Sequence, residues 1–187
     1  QSRALIADMY ADLGELEEMV SELLTYASLE RGATQVTREA IEAQSWLDSV
    51  IGSVALEAEV EGVQLSLRTC EVDVIQIEPR FMARAVINLL RNAIRYADRR
   101  VEVSLVKFGS GYEVRVCDDG PGIPEEGRAK IFQPFIRLDA SRDRRTGGFG
   151  LGLALVQRVC QWHGGQVLVQ DSEWGGASFR MRWAYDA

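Results

Sequence analysis

Histidine is almost absent from this chain. Among 187 residues there is one, His163. That excludes a histidine-based metal cluster and leaves no Ser/His/Asp or Cys/His set for nucleophilic catalysis. Cysteine is nearly as sparse. Cys70, Cys117 and Cys160 are odd in number, far apart and without a CxxC spacing. They read as reduced core residues of a cytosolic domain, not as a disulfide framework or a zinc site. No apolar run approaches the ~20 residues of a membrane span, and no signal peptide is present. Positive charge is in deficit, with a formal net charge of -7. A general nucleic-acid binder needs a basic face to displace counterions, so nucleic acid is not expected as a partner. An anionic nucleotide is not excluded, because Arg128, Lys130, Arg137, Arg142, Arg144 and Arg145 cluster in one stretch. The first residue is Gln1, not Met, and the chain reads as a fragment of a longer protein.

The hydrophobic fraction is 47%, enough for a packed core and too high for wholesale disorder. At the N-terminus Ile6, Met9, Leu13, Leu16, Val20, Leu23 and Ala27 recur at alternating steps of three and four. That is a heptad seam, flanked by acidic residues, and it predicts a helix of a bundle over one merely packed on its own domain. Gly32 is a helix stop. A polar connector over 33–40 follows, then a helix over 42–60 and strands over Val63–Leu67 and Val72–Ile77. Pro79 can open a helix that runs to about Ala97. Val101–Phe108 and Tyr112–Cys117 flank Gly109-Ser110-Gly111 as a hairpin. After a long loop come a helix over Phe149–Trp162 and closing strands over Gln166–Asp171 and Ala177–Ala184. This order predicts an α+β sandwich, a mixed sheet covered on one face by helices.

Four short segments carry the chemistry. Asn88 and Asn92 lie four residues apart on the predicted helix, so both amides emerge on one face. Mg²⁺ takes hard oxygen ligands and few of them from protein, a role an amide oxygen suits. Asp118 ends a strand and precedes Asp119-Gly120-Pro121-Gly122-Ile123. Gly120 and Gly122 permit positive φ and close approach to a flat ring. A carboxylate there can accept from the exocyclic amino group of adenine, where guanine presents a carbonyl. Phe132-Gln133-Pro134-Phe135 follows as an aromatic pair that can pack a loop onto the domain. Gly147-Gly148-Phe149-Gly150-Leu151-Gly152 then opens a helix, whose free N–H groups and dipole favour an anion. No Gly-Lys-Ser/Thr follows, so this is not a P-loop. Its GxGxG spacing without a preceding strand is not the dinucleotide fingerprint.

In this order the segments resemble the N, G1, F and G2 boxes of the ATP-binding domain of sensor histidine kinases. The chain is similar in particular to the RstB-like branch of bacterial two-component sensors. The resemblance spans nearly the whole sequence. It implies a two-layer α/β sandwich of the GHKL (Bergerat) type, a mixed sheet covered by three helices and preceded by a long helix. Residues 1–32 then correspond to the second dimerisation helix and 33–187 to the catalytic domain.

The resemblance also implies ATP and Mg²⁺ as cofactors. Asn92 matches the metal-ligating asparagine and Asn88 the supporting one. Arg95 and Tyr96 match positions near the phosphates and sugar, and Asp118 matches the adenine acceptor. Gly120, Gly122, Ile123, Gly148, Gly150, Leu151 and Gly152 match the loops around the nucleotide. Arg137 and Arg142 match basic positions near the phosphates, with Asn88, Asn92 and Arg137 serving the transfer itself. Phe149 departs from the small or polar residue common there.

The implied activity is protein-histidine kinase, with a response regulator as downstream partner and a homodimer formed through the helical stalk. The implied location is the cytoplasmic portion of a bacterial inner-membrane protein. His163 lies in a His-Gly-Gly helix end with no acidic residue after it, so it reads as structural. The acceptor histidine is then expected outside this chain, which alone would not autophosphorylate. Alternatives on the same fold are a GHKL ATPase of the topoisomerase or Hsp90 type and an anti-sigma-type serine kinase. The first needs a glutamate where Asn88 stands, and the heptad helix speaks against the second.

Overall fold

The computed structural model describes residues 37–136 and 150–185, together with a scattered set between 9 and 27. From Glu39 the elements run β1 (Glu39–Glu42), α1 (Ala43–Gly52), α2 (Ala55–Val60), β2 (Gln64–Cys70), β3 (Val74–Ile77), α3 (Pro79–Tyr96), β4 (Arg100–Phe108) and β5 (Gly111–Asp118). They continue with α4 (Glu125–Arg128), a 3₁₀ turn (Lys130–Phe132), α5 (Gly152–Trp162), β6 (Gln166–Asp171) and β7 (Ala177–Ala184). Five strands form one sheet in the order β2-β4-β5-β7-β6, and β1 pairs with β3 in a separate ribbon. β2 runs parallel to β4, and every other pair in the large sheet is antiparallel. The expected α+β sandwich with a mixed sheet is therefore the observed one.

Alternation along the strands decides which face the helices cover. Val101, Val103 and Leu105 of β4, Val114 and Val116 of β5, and Phe179 and Met181 of β7 are buried on one face. They meet Leu47 of α1, Leu89 and Leu90 of α3, and Leu155 and Val159 of α5 in one core. The opposite face carries Glu113, Arg115 and Arg182. Glu113 is fully buried and accepts from Arg115 and Arg182, each at 2.6 Å. Burial pushes its carboxyl up, but the two guanidiniums outweigh that and hold it below the ordinary carboxylate value.

α3 is the element that positions the site. Glu78 caps it, accepting from the Phe81 N–H at 2.6 Å, and Pro79 occupies its first turn. Met82, Ala85, Val86, Leu89, Leu90, Ala93 and Ile94 are its buried stripe. Truncating Leu89 or Leu90 to alanine would cost about 2–5 kcal/mol. This stripe holds the helix in one rotation, and Asn88 and Asn92 stay half-buried on its flank.

Two local expectations are corrected. The helix over 42–60 is two helices, because Ser53 and Val54 interrupt it. The Ser53 hydroxyl donates to the Val50 carbonyl at 2.7 Å, competing with the helical pattern. α5 begins at Gly152, not Phe149. Gly150 has φ +74°, outside the helical region. Of the N-terminal seam, Met9, Leu13, Leu16, Val20, Leu23 and Ala27 fall within the described residues; the first five are exposed and Ala27 is half-buried. Ile6 and the expected stop at Gly32 lie outside them.

Candidate nucleotide site

Three backbone contacts draw the separate segments together, and each requires a glycine. A Cβ on Gly120 would lie 2.1 Å from the Tyr96 carbonyl oxygen, so the loop after β5 sits directly on the end of α3. A Cβ on Gly176 would lie 2.3 Å from the Asp118 carbonyl oxygen, which seats the β6–β7 turn against the same loop. At Gly150 the Cβ would lie 2.9 Å from the Phe135 Cα. The Phe135 N–H donates to the Gly150 carbonyl at 2.9 Å, and Phe135 itself has φ +64°. Phe132 is buried and meets Phe179 edge to face at 6.4 Å. The aromatic segment thus anchors the start of the second glycine run.

Asp118 is buried at the end of β5. Its Oδ1 accepts from the Gly120 N–H and from the Ala177 N–H, both at 3.0 Å. Its Oδ2 makes no hydrogen bond among the described residues. Burial raises the Asp118 carboxyl above its ordinary value; the two N–H donors offset part of that, and the neighbouring Asp119 charge adds to it. The structure therefore fixes one oxygen to the main chain and leaves the other without a partner among the described residues.

Midway along α3, the Asn88 Nδ2 donates to the Gly152 carbonyl at 3.3 Å. This bond ties the first amide to the start of α5. No side chain caps α5, so its first N–H groups keep no intrahelical acceptor. Asn92 lies one turn further along, half-buried, and its amide makes no hydrogen bond among the described residues. Eight residues separate Asn88 from Tyr96, about 12 Å of helix axis. α3 thus spans from the Asp118 loop to the anion-favouring start of α5.

Of the expected residues, Asn88, Asn92, Arg95, Tyr96, Asp118, Gly120, Gly122, Ile123, Gly150, Leu151 and Gly152 lie on α3 and the loops that meet it. Arg95 and Tyr96 are exposed. Ile123 is held by its carbonyl, which accepts from Arg128 Nε at 2.9 Å. The Leu151 side chain is fully buried, so only its main chain is left to line a ligand. Arg137, Arg142, Gly148 and Phe149 lie outside the described residues.

Three contributors escape the sequence reading. Asp119 accepts the N–H groups of Asp98, Arg99 and Arg100 at 3.0, 3.0 and 3.1 Å. Burial pushes its carboxyl up, but these donors prevail and hold it below its ordinary value. Ser172 and Gly176 form the turn behind Asp118. In the sequence the Gly175-Gly176 pair marks only a turn between strands.

A family model described as histidine kinase-, DNA gyrase B-, and HSP90-like ATPase matches residues 77–187. The sensor protein RstB of Escherichia coli K12 is 40% identical over 172 residues, which are 92% of this chain and 40% of that protein. The sensor histidine kinase CpxA of the same strain is 36% identical over 162 residues, 86% of this chain and 35% of CpxA. The solved ATP-binding domain of PrrB from Mycobacterium tuberculosis matches with a TM-score of 0.65 at 26% identity, over 81% of this chain and 99% of that one.

The fold is what the solved PrrB domain shares with this chain. The chain belongs to the histidine kinase-, DNA gyrase B- and HSP90-like ATPase family. Within it the relatives are sensor histidine kinases, and the domain is an ATP-binding catalytic domain of that kind. The chain spans less than half the length of the curated relatives it matches, 40% of RstB and 35% of CpxA. No helix among the described residues is long and apolar enough to cross a membrane.

Proposed function

We propose that this domain binds Mg²⁺-ATP and presents the γ-phosphate to a histidine that is not among these 187 residues. The observation that carries the reading is Asp118, with Oδ1 held by two main-chain donors and Oδ2 left over. In this reading Oδ2 accepts from the adenine amino group, and the phosphates reach the start of α5. The residues present fit a magnesium ion. Asn92 offers a half-buried amide oxygen with no partner among the described residues, and few protein ligands are needed. Bound there, Mg²⁺ would neutralise phosphate charge. Asn88 would fix α5 relative to Asn92, and Arg95 would add positive charge beside the phosphates. Arg137 and Arg142 are proposed to do the same from the loop between Phe135 and Gly150. Catalysis would consist mainly of positioning and charge stabilisation.

Transfer to a protein nucleophile is favoured over hydrolysis by residue 88. It is an amide engaged with Gly152, not a carboxylate able to take a proton from water. His163 is not the acceptor. It is fully buried; its Nδ1 lies 2.8 Å from the Val159 carbonyl and its Nε2 accepts from the Glu78 N–H at 3.0 Å. In this reading residues 1–32 are the second helix of a dimerisation stalk and 33–187 the catalytic domain. The exposed row Met9, Leu13, Leu16, Val20 and Leu23 supports that assignment, because such a seam needs a partner helix. The whole protein would be a homodimeric inner-membrane sensor whose histidine passes its phosphoryl group to a response regulator.

The test is incubation of the chain with γ-labelled ATP, alone and with a stalk polypeptide bearing the acceptor histidine. The chain alone should bind ATP and acquire no acid-labile label, and label should appear on the stalk polypeptide. Stoichiometric acid-labile label on the chain itself, lost on His163→Ala, would overturn the proposal.

A further inference from the structure

The β6–β7 turn is built around a hydroxyl. Ser172 Oγ donates to the Asp118 carbonyl at 2.7 Å and accepts from the Trp174 N–H at 3.2 Å. The turn is closed by the Ser172 N–H on the Gly176 carbonyl at 2.8 Å and by the Gly175 N–H on the Ser172 carbonyl at 3.2 Å. It leads directly into Ala177, whose N–H holds Asp118 Oδ1. The regular β5–β7 ladder ends one pair earlier, at Cys117 and Ser178. Beyond that point two bonds join the turn to Asp118. One runs from the Ser172 side chain to the Asp118 main chain, and the other from the Ala177 main chain to the Asp118 side chain.

These two bonds act on one residue from opposite ends. The Ser172 hydroxyl fixes the Asp118 peptide, and hence the direction of the Cα–Cβ bond. The Ala177 N–H fixes rotation of the carboxylate about that bond. Gly176 lets the turn come close enough for both, since a Cβ there would sit 2.5 Å from Asp118 Oδ1. The outer side of the turn is also held, because the Trp174 ring lies 3.9 Å below the Arg100 guanidinium. Arg100 in turn follows the loop that Asp119 organises.

We propose that Ser172 is a positioning residue that sets base selectivity without touching the base. By clamping Asp118 through the turn, it keeps Oδ2 as a single directed acceptor for the exocyclic amino group of a purine. This rests on the reading of Asp118 as the adenine acceptor. A merely structural serine would support every nucleotide alike. A serine acting through Asp118 affects only ligands that carry the amino group.

The experiment compares ATP with purine riboside triphosphate, which lacks the 6-amino group, by titration calorimetry on wild type, Ser172→Ala and Ser172→Thr. Wild type should prefer ATP by about tenfold or more, the worth of one hydrogen bond to a charged acceptor. Ser172→Ala should cut that ratio to about threefold or less while leaving affinity for the analogue within about twofold. Ser172→Thr, which keeps the hydroxyl, should restore the ratio. Should Ser172→Ala unfold, Ser172→Cys carries the same comparison, being similar in size and a weak donor. Equal weakening of both ligands, or an unchanged ratio, would overturn the role given to Ser172 and leave Asp118 standing. No preference for ATP in the wild type would instead remove Asp118 as adenine acceptor, and this inference with it.

Discussion

Replacing Asp118 by asparagine should weaken ATP binding and, in the absence of nucleotide, stabilise the fold. The substitution keeps the size of the side chain and an oxygen that can accept from Gly120 and Ala177, as Oδ1 does at 3.0 Å. It removes the charge and turns the ligand-facing oxygen into an NH₂ group. That group would meet the adenine amino group donor to donor. Losing a hydrogen bond to a charged acceptor costs roughly 1.5–3 kcal/mol, about a ten- to hundredfold rise in Kd. Inosine triphosphate, with a carbonyl at the same position, should lose far less.

The stability change has the opposite sign. Burial raises the folded-state value of the Asp118 carboxyl above its ordinary 3.8, so the folded state binds the proton more tightly than the unfolded one. Stability from this group therefore falls as pH rises from 3.8 through the raised folded value, and the ionised form is a cost at neutral pH. An uncharged amide removes that cost. For a domain of this size, each kcal/mol relieved is worth about 2–4 °C in Tm. Calorimetric titration with ATP and inosine triphosphate, and thermal melts without ligand, test both halves. Unchanged ATP affinity would refute the assignment of the base site. Reduced affinity with a lower Tm would mean that the carboxylate is structural.

Asn92→Ala should weaken ATP binding mainly when Mg²⁺ is present, because the amide is half-buried with no partner among the described residues; titrations with Mg²⁺ and with EDTA check it, and an equal loss in both would remove Asn92 as a metal ligand. His163 should give the fold a pH dependence. Burial lowers its value below the ordinary 6.5, so stability is fully present above about 6.5 and is lost as pH falls through the lowered value. Melts between pH 5 and 8 should show Tm declining below about 6.5 in wild type, and His163→Gln should flatten that decline at some loss of Tm throughout.

What was legible in the sequence was local. Pro79, the unbroken stripe from Met82 to Ile94 and Arg95 mark α3 because a helix of period 3.6 writes itself into residue order. The hairpin around Gly109-Ser110-Gly111 is equally local, and Asp118 with Gly120 and Gly122 is visible because a short loop must carry its own glycines. The break at Ser53-Val54 was missed because a long apolar-periodic stretch outweighs two weak helix formers. The pairing of β1 with β3, and of β2 with β4 in parallel, depends on contacts between distant segments that no spacing records. Ser172 and Gly176 were missed for the same reason. Their partners are 54 residues away or more, and an isolated Ser or Gly in a turn looks like any other.

Asp118 and Asp119 show why residue type alone could not have divided their roles. They are adjacent and chemically identical, yet their carboxyls move in opposite directions. Asp119 gathers three main-chain N–H groups from the start of β4, and its charge is more than compensated; its contribution to stability is present above the ordinary 3.8 and lost as pH falls below it. Asp118 receives two N–H groups, both on one oxygen, and is buried more deeply. Its second oxygen has no donor among the described residues. A buried, partly unpaired carboxylate weakens the empty domain and strengthens whatever complex supplies the donor, which in the proposed reading is the amino group of the base. Asp119 fixes the loop in place, so that this oxygen points in one direction. Exchanging their environments, not their identities, is what would exchange their functions.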